Sequence, residues 1–243
     1  MKIVGVIPAR WGSSRFEGKV LAEISGKPMI QHVWERASQS KFLEECIIAC
    51  DDEKVFEAAK GFGACVVMTS KDHDSGTDRI VEVVCERDVD IVVNIQGDEP
   101  LIDPLVIDAL VQALEEDPEC EMATVIKVIE KEDELNNPNV VKVVTDDKGH
   151  ALYFSRSLIP YNRENQEVTY YKHLGIYAYR KNLLMKLKEL SKSSLEEIEK
   201  LEQLRVLEAG YKIKTILTDI ETIGVDTPED LKYVEEIIND SNS

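Results

Sequence analysis

At 243 residues with 43% hydrophobic side chains, the chain can bury the core of one large α/β domain or of a domain with a smaller lobe, and Pro and Gly are too sparse for disorder. Its 47 Asp and Glu against 29 Lys and Arg, a net charge of −18, argue against general nucleic-acid binding, which needs a cationic footprint to release counterions. No segment reads as a leader peptide or a membrane span, so a soluble, cytoplasmic protein is expected. The five cysteines (Cys46, Cys50, Cys65, Cys85, Cys120) are dispersed, odd in number and mostly inside apolar runs, which reads as small buried hydrophobes rather than a disulfide or metal framework.

In chain order, residues 3–7 (IVGVI) are too few for a helix and too apolar for a half-exposed strand. Such a run reads as a central parallel strand buried on both faces, ended by Pro8. The loop 9–19 follows, holding Arg10, Arg15, Lys19, Gly12 and Gly18. Small residues admit close backbone approach, and exposed N–H groups with Arg and Lys suit a polyphosphate. It is not a P-loop, because five residues separate Gly12 from Gly18 and Lys19 is followed by Val20; G-x-G-x-x-G is absent. A merely solvated basic loop is the alternative, but loops at the carboxyl ends of central parallel strands are where open α/β sheets bind ligands.

A helix over 28–40, a strand over 46–50, a helix over 53–62, a strand over 64–68, a helix over 80–87, a strand over 91–95 and a helix over 104–115 come next. This βαβα alternation predicts a doubly wound α/β fold with a mostly parallel central sheet. After Met122 the pattern changes to short strands over 122–128, 140–145, 151–155 and 174–179, separated by Asn, Pro, Asp and Gly turns, which reads as a smaller mixed-sheet lobe. Helices over 181–190 and 195–209, a strand over 213–217 and a helix over 228–238 complete the chain, with a disordered tail over 239–243 expected. The expected division is a core of roughly 1–122 and 211–243 with a lobe of roughly 123–210, within a single domain.

Asp98 follows the strand 91–95 and the turn Gln96-Gly97, at the carboxyl edge of the sheet. It is placed either to bind Mg²⁺, which takes one or two carboxylates plus substrate phosphates, or simply to make a turn. Asp226, just before Thr227-Pro228, is the natural second ligand or the N-cap of the last helix. Ser75-Gly76-Thr77 suits a base or ribose, or caps the following helix. Arg156 reads either as a carboxylate partner or as a surface ion pair. His73 and His173 have no Ser or Cys in nucleophile spacing, which argues against a catalytic triad.

Taken together, PARWGSSRFEGK (8–19), GKPMI (26–30), SKDHDSGTDR (70–79), NIQGDEP (94–100), NPNVVKVV (137–144), ALYFSRSLIPYNR (151–163), KHLGIYAYR (172–180), LEQLRVLEAG (201–210) and GVDTPEDL (224–231) resemble the 3-deoxy-D-manno-octulosonate cytidylyltransferases, or CMP-Kdo synthetases. Trp11 and Phe16-Glu17 depart from the family pattern, with Glu17 expected to point outward. The resemblance implies a Rossmann-like nucleotidyltransferase fold, and a reaction of CTP with Kdo that gives CMP-Kdo for lipopolysaccharide biosynthesis. It implies that Arg10, Arg15 and Lys19 hold the triphosphate and act in catalysis with Asp98 and Asp226, which bind Mg²⁺. Pro8, Ala9, Ser75, Gly76, Thr77 and Arg79 would surround cytosine and ribose, and Gln96, Arg156, His173, Tyr177, Glu202 and Gln203 would line the sugar pocket. It also implies a homodimer formed through the smaller lobe.

Three rivals remain at this stage. One is a cytidylyltransferase for 8-amino Kdo or another acidic sugar. A second is a glycosyltransferase, whose usual Asp-x-Asp motif is here Gln96-Gly97-Asp98. The third is a nucleotide-sensing module, which would have no need of both Asp98 and Asp226.

Overall fold

The computed structural model describes residues 1–12 and 16–241 and divides into two compact units, Met1–Asp108 with Glu221–Ser243, and Ala109–Ile220. In the first unit, Ile3–Ala9 (β1) has a strand on either side, which is why its run is apolar throughout. The short pair Glu23–Ile24 (β2) and Lys27–Pro28 (β3) precedes helix Met29–Ala37 (α1). Glu45–Cys50 (β4), helix Glu53–Gly61 (α2), Cys65–Met68 (β5), helix Gly76–Val84 (α3) and Ile91–Asn94 (β6) follow, and helix Pro104–Glu116 (α4) begins in this unit and runs past its boundary at Asp108. The sheet runs β6-β1-β4-β5, all parallel, with Val6 opposite both Ile47 and Asn94. Ile7, Ile47, Ile48, Ile91 and Val92 are fully buried, each contributing roughly 1.5–3 kcal/mol over an exposed side chain.

Pro8 does not end β1, whose ladder with β4 continues through Pro8↔Ala49 and Ala9↔Cys50. The reason lies on the other edge. The Val6 carbonyl faces β6, where it accepts from Ile95 N at 3.0 Å, so the nitrogen of Pro8, two residues on, faces the same way. That ladder has already stopped at Val6↔Asn94, so no donor is missed.

Helix α3 begins four residues before the apolar periodicity does. Ser75 caps it: Asp78 N donates to Ser75 Oγ at 3.1 Å, and Ser75 N donates to the Asp78 carboxylate at 3.2 Å, a capping box. Helix Pro228–Ser241 (α9) extends through three of the residues expected to be tail. It packs Val234 against Ile24, Met29 and Val225, returning the chain end to the first unit.

In the second unit, Met122–Val128 (β7) lies between Ile213–Leu217 (β11), parallel to it, and Tyr171–Arg180 (β10), antiparallel. Lys142–Thr145 (β8) pairs antiparallel with β10 and with Ala151–Ser155 (β9), giving a mixed sheet. Short helices Glu132–Leu135 (α5) and Lys181–Leu187 (α6) complete the connections. The helix expected over 195–209 is two, Ser194–Glu199 (α7) and Gln203–Glu208 (α8), broken at Lys200 with φ 54°. Carbonyls that an unbroken helix would turn to Gln203 and Leu204 go instead to Arg156, whose Nε donates to Glu199 O at 2.7 Å and whose Nη2 reaches Lys200 O at 3.5 Å.

Candidate active site

The carboxyl ends of β1 and β6, the start of α3 and the approach to α9 enclose a cavity of about 340 Å³ in the first unit. Pro8, Arg10, Lys19, Ser75, Gly76, Arg79, Gln96, Asp98 and Asp226, all expected from the sequence, line it, as does His73, which was not. Ala9 and Thr77 are buried and are not among its lining residues. Arg15 lies outside the described residues.

Gly97 lets the turn after β6 come close to β1, since a Cβ there would stand 2.8 Å from Pro8 O. Asp98 O then accepts from Val225 N at 2.8 Å, which fixes residue 226 beside it. Lys19 Nζ sits between the two acids, 2.8 Å from Asp98 Oδ2, 3.1 Å from Asp226 Oδ1 and 2.9 Å from Val225 O. Burial pulls the Lys19 pKa down, but hydrogen bonds and charge from Asp98 and Asp226 outweigh it and the net shift is upward. Two carboxylates and a carbonyl thus converge on one cation. An all-oxygen set of this kind fits a hard divalent ion, for which the ammonium is a stand-in.

The capping alternative for Asp226 is settled by its neighbours. Thr227 Oγ1 accepts from Asp230 N at 3.2 Å, and the Asp230 carboxylate accepts from Thr227 N at 2.8 Å and Asp226 N at 3.0 Å. Burial raises the Asp230 pKa, yet these donors and Thr227 bring it below the usual carboxylate value. With Thr227 as the cap, the Asp226 side chain is left to face the cavity.

Arg79 is only 3% exposed and serves the scaffold. Its Nη2 donates to Asp51 Oδ2 at 2.8 Å, and its Nη1 donates to Ser70 O and Thr69 Oγ1. Asp51 Oδ1 in turn accepts from Trp11 N at 2.9 Å, so one carboxylate ties α3 to the start of the cationic loop. Sequence reasoning missed Asp51; its only signal was an acidic pair at the end of an apolar strand. Glu17 is exposed and accepts from Trp11 Nε1 at 3.2 Å, matching the outward orientation expected of it.

In the second unit, His173 and Tyr177 lie on β10 with ring centroids 5.4 Å apart, and Phe154 meets His173 edge-on at 5.0 Å. Thr124 Oγ1 lies 2.9 Å from Ile176 O and 3.0 Å from His173 Nε2. A hydroxyl that donates to the carbonyl must accept from the ring, so Nε2 carries the proton. The Tyr177 hydroxyl donates to Gln203 Oε1 at 3.5 Å, and burial with the Glu202 charge pushes its pKa up. Gln203 Nε2 is buried without a hydrogen-bond partner among the described residues. Glu202 lies 3.7 Å from Arg205, and Arg156 Nη1 donates to Pro138 O at 2.8 Å. Among the described residues the Arg156 guanidinium is therefore bonded to backbone carbonyls and not engaged in a surface ion pair. Lys142, another residue that sequence reasoning missed, is fully buried and donates to Val140 O and Asn137 O.

Burial pushes the His173 pKa down to about 3. The unfolded chain takes up this proton below about 6.5, so the stability conferred by the neutral ring is complete above 6.5 and is lost as pH falls from there towards 3. Each pH unit in that window costs up to about 1.4 kcal/mol. His173→Asn is expected to flatten the stability slope in denaturant titrations between those limits. A His173 ring that titrates near its ordinary value by NMR would contradict this.

The family model described as "Cytidylyltransferase" matches residues 4–216. The chain belongs to the cytidylyltransferase family. Among members of this cytidylyltransferase group, the 3-deoxy-manno-octulosonate cytidylyltransferase of Solibacter usitatus is 53% identical over 241 residues, covering 99% of this chain and 96% of that one. An 8-amino-3,8-dideoxy-manno-octulosonate cytidylyltransferase of Shewanella halifaxensis is 50% identical over 239 residues, covering 97% and 98%. A CMP:2-keto-3-deoxy-manno-octonic acid synthetase solved in complex with CTP superposes with a TM-score of 0.96 at 46% identity, over 99% of this chain and all of that one. Among the described residues, no helix is long and apolar enough to cross a membrane.

Proposed function

We propose that the chain joins CTP to Kdo, giving CMP-Kdo and pyrophosphate, and so supplies activated Kdo for lipopolysaccharide biosynthesis in the cytoplasm. The observation that carries the chemistry is the convergence of Asp98, Asp226 and the Val225 carbonyl on one cation within 3.1 Å. Likeness to the CTP-bound synthetase supports the choice of nucleotide. The anomeric C2 hydroxyl of Kdo attacks the α-phosphorus and gives up its proton, a new P–O bond forms, and the bond to pyrophosphate breaks. Such a transfer needs positioning and charge neutralisation more than covalent catalysis.

Asp98 and Asp226 would hold Mg²⁺, whose charge neutralises phosphate oxygens and lowers the pKa of a bound hydroxyl. Lys19, on a flexible stem, then turns its ammonium from the carboxylates to the triphosphate, joining Arg10 and Arg15. Pro8 and Gly76 admit the cytidine closely. Ser75 and Arg79 act mainly by holding the start of α3, with Ala9 and Thr77 packed behind. Gln96 is assigned to the sugar, as are Arg156, His173, Tyr177, Glu202 and Gln203 of the second unit. Arg156, whose guanidinium is bonded to carbonyls, offers a fork that suits the Kdo carboxylate. The orphan Gln203 amide is a ready donor to a sugar hydroxyl. We assign the nucleotide, together with the sugar contact Gln96, to the first unit, and the other sugar residues and a homodimer to the second, in which a partner copy would cover exposed Leu152, Tyr161 and Ile198.

The 50% identical relative named for 8-amino Kdo keeps that sugar as a second reading. Pyrophosphate release from CTP with Mg²⁺, offering Kdo, 8-amino Kdo and N-acetylneuraminate separately, tests both, with UTP and ATP as controls. Release with Kdo and CTP is expected. Release only with another sugar would overturn the pocket assignment, and tight CTP binding without release would favour a sensing module.

A further inference from the structure

A second cluster of ligating side chains stands in the second unit, and the proposed reaction does not use it. Asp117 follows α4, and Cys120 N donates to Asp117 O at 3.1 Å, so the two side chains share one turn. His150 comes from the turn between β8 and β9. There Asp146 Oδ1 accepts from Lys148 N at 2.9 Å and His150 N at 2.8 Å, and Gly149 takes φ +75°. One ligand atom each from Asp117, Cys120 and His150 lies within 4.8 Å of the others, with Cys120 fully buried and His150 7% exposed.

The His150 ring is held at both nitrogens. Its Nδ1 is 3.1 Å from Asp146 Oδ2, and its Nε2 is 2.9 Å from Asp117 Oδ2. A neutral imidazole donates from one nitrogen only, so one of these contacts sets a lone pair against a carboxylate. A metal on Nε2 resolves it: Nδ1–H donates to Asp146, and Asp117 and Cys120 join Nε2 on the ion. This is the carboxylate–histidine–metal order in which an outer carboxylate fixes the ligating tautomer.

We propose that Asp117, Cys120 and His150 form a metal site separate from the Asp98–Asp226 pair, for a borderline divalent transition ion of the Zn²⁺ class, with Asp146 orienting His150. The mixed S, N and O donors select this class, whereas the all-oxygen set at Asp98 selects hard cations. Tetrahedral bonds of the usual length put ligand atoms about 3.3–3.8 Å apart, so the 2.9 Å contact opens slightly and the wider separations close. A surface groove of about 530 Å³, lined by Gln112, Glu116, Asp117 and Lys214, gives the ion a path. Lys214 Nζ is held by Lys148 O at 2.5 Å and stays 3.7 Å from Asp117 Oδ2, beyond hydrogen-bond reach of the oxygen that faces His150, while Asp117 Oδ1 accepts from Glu119 N at 3.2 Å.

The test is Co²⁺ titration of the full chain after chelator treatment, reading thiolate-to-cobalt charge-transfer absorption. One equivalent per chain is expected to give the band. Cys120→Ser and His150→Asn should abolish it, Cys85→Ser and Asp98→Asn should keep it, and Asp146→Asn should weaken affinity about 10–100-fold. No band in the unsubstituted protein overturns the site. A band that survives in both Cys120→Ser and His150→Asn overturns it equally.

Discussion

Asp98→Asn is expected to lower turnover about 10²–10³-fold, the loss seen when one element of a preorganised electrostatic site is removed. The substitution keeps the side chain's shape and subtracts one charge. Lys19 retains Asp226 at 3.1 Å and Val225 O at 2.9 Å, and Val225 N still donates to the main-chain carbonyl of residue 98, so the cavity keeps its form. What is lost is half of the carboxylate charge that would hold a divalent ion against the reacting phosphate. The fall should appear in the rate of pyrophosphate release at saturating CTP more than in the KM for CTP, because the triphosphate is also held by the cationic loop. Raising Mg²⁺ should recover part of it. Near-normal turnover of Asp98→Asn at low Mg²⁺ would remove the metal assignment, and with it the reason for Asp226.

Several features behind that expectation are legible in the sequence, each for a local reason. The run 3–7 announces a strand buried on both faces, and it is β1. The turn after the strand that ends at Asn94 announces Asp98 at the ligand edge. That Asp98 and Asp226 share a cation is not legible from spacing, because it depends on the main-chain bond from Val225 to Asp98 across the fold. Position at the ligand edge makes Asp226 a candidate second ligand, with capping of the last helix as its alternative.

Other features were missed for physical reasons that can be named. Periodicity starts at Ile80 and so places the start of α3 four residues late, although the capping alternative at Ser75, with Asp78 in capping-box spacing, marks the true start. The same spacing at Thr227 and Asp230 would have released Asp226 from the capping alternative. The break at Lys200 left no local trace, since the group that takes the Glu199 carbonyl lies 43 positions earlier, on Arg156.

Arg79 is where a family-based role and the structure give different expectations, and Arg79→Met separates them. The resemblance assigns Arg79 to the nucleotide. In the structure its guanidinium is engaged with Asp51, Thr69 and Ser70, with side chains 3% and 12% exposed in the Arg79–Asp51 pair. Removing one partner of a buried pair strands the other charge, at a cost of about 3–5 kcal/mol, a large share of a typical domain's stability. The midpoint of thermal unfolding should fall by about 6–20 °C for a chain of this size. Asp51 also holds Trp11 N at 2.9 Å, so the cationic loop should loosen and the KM for CTP should rise as a consequence. Asp51→Asn with Arg79→Met should cost less than the sum of the single substitutions, because the stranded charge is then gone. If Arg79→Met unfolds at the normal midpoint and only the KM for CTP rises, the arginine is a ligand-binding side chain and the Asp51 link is incidental.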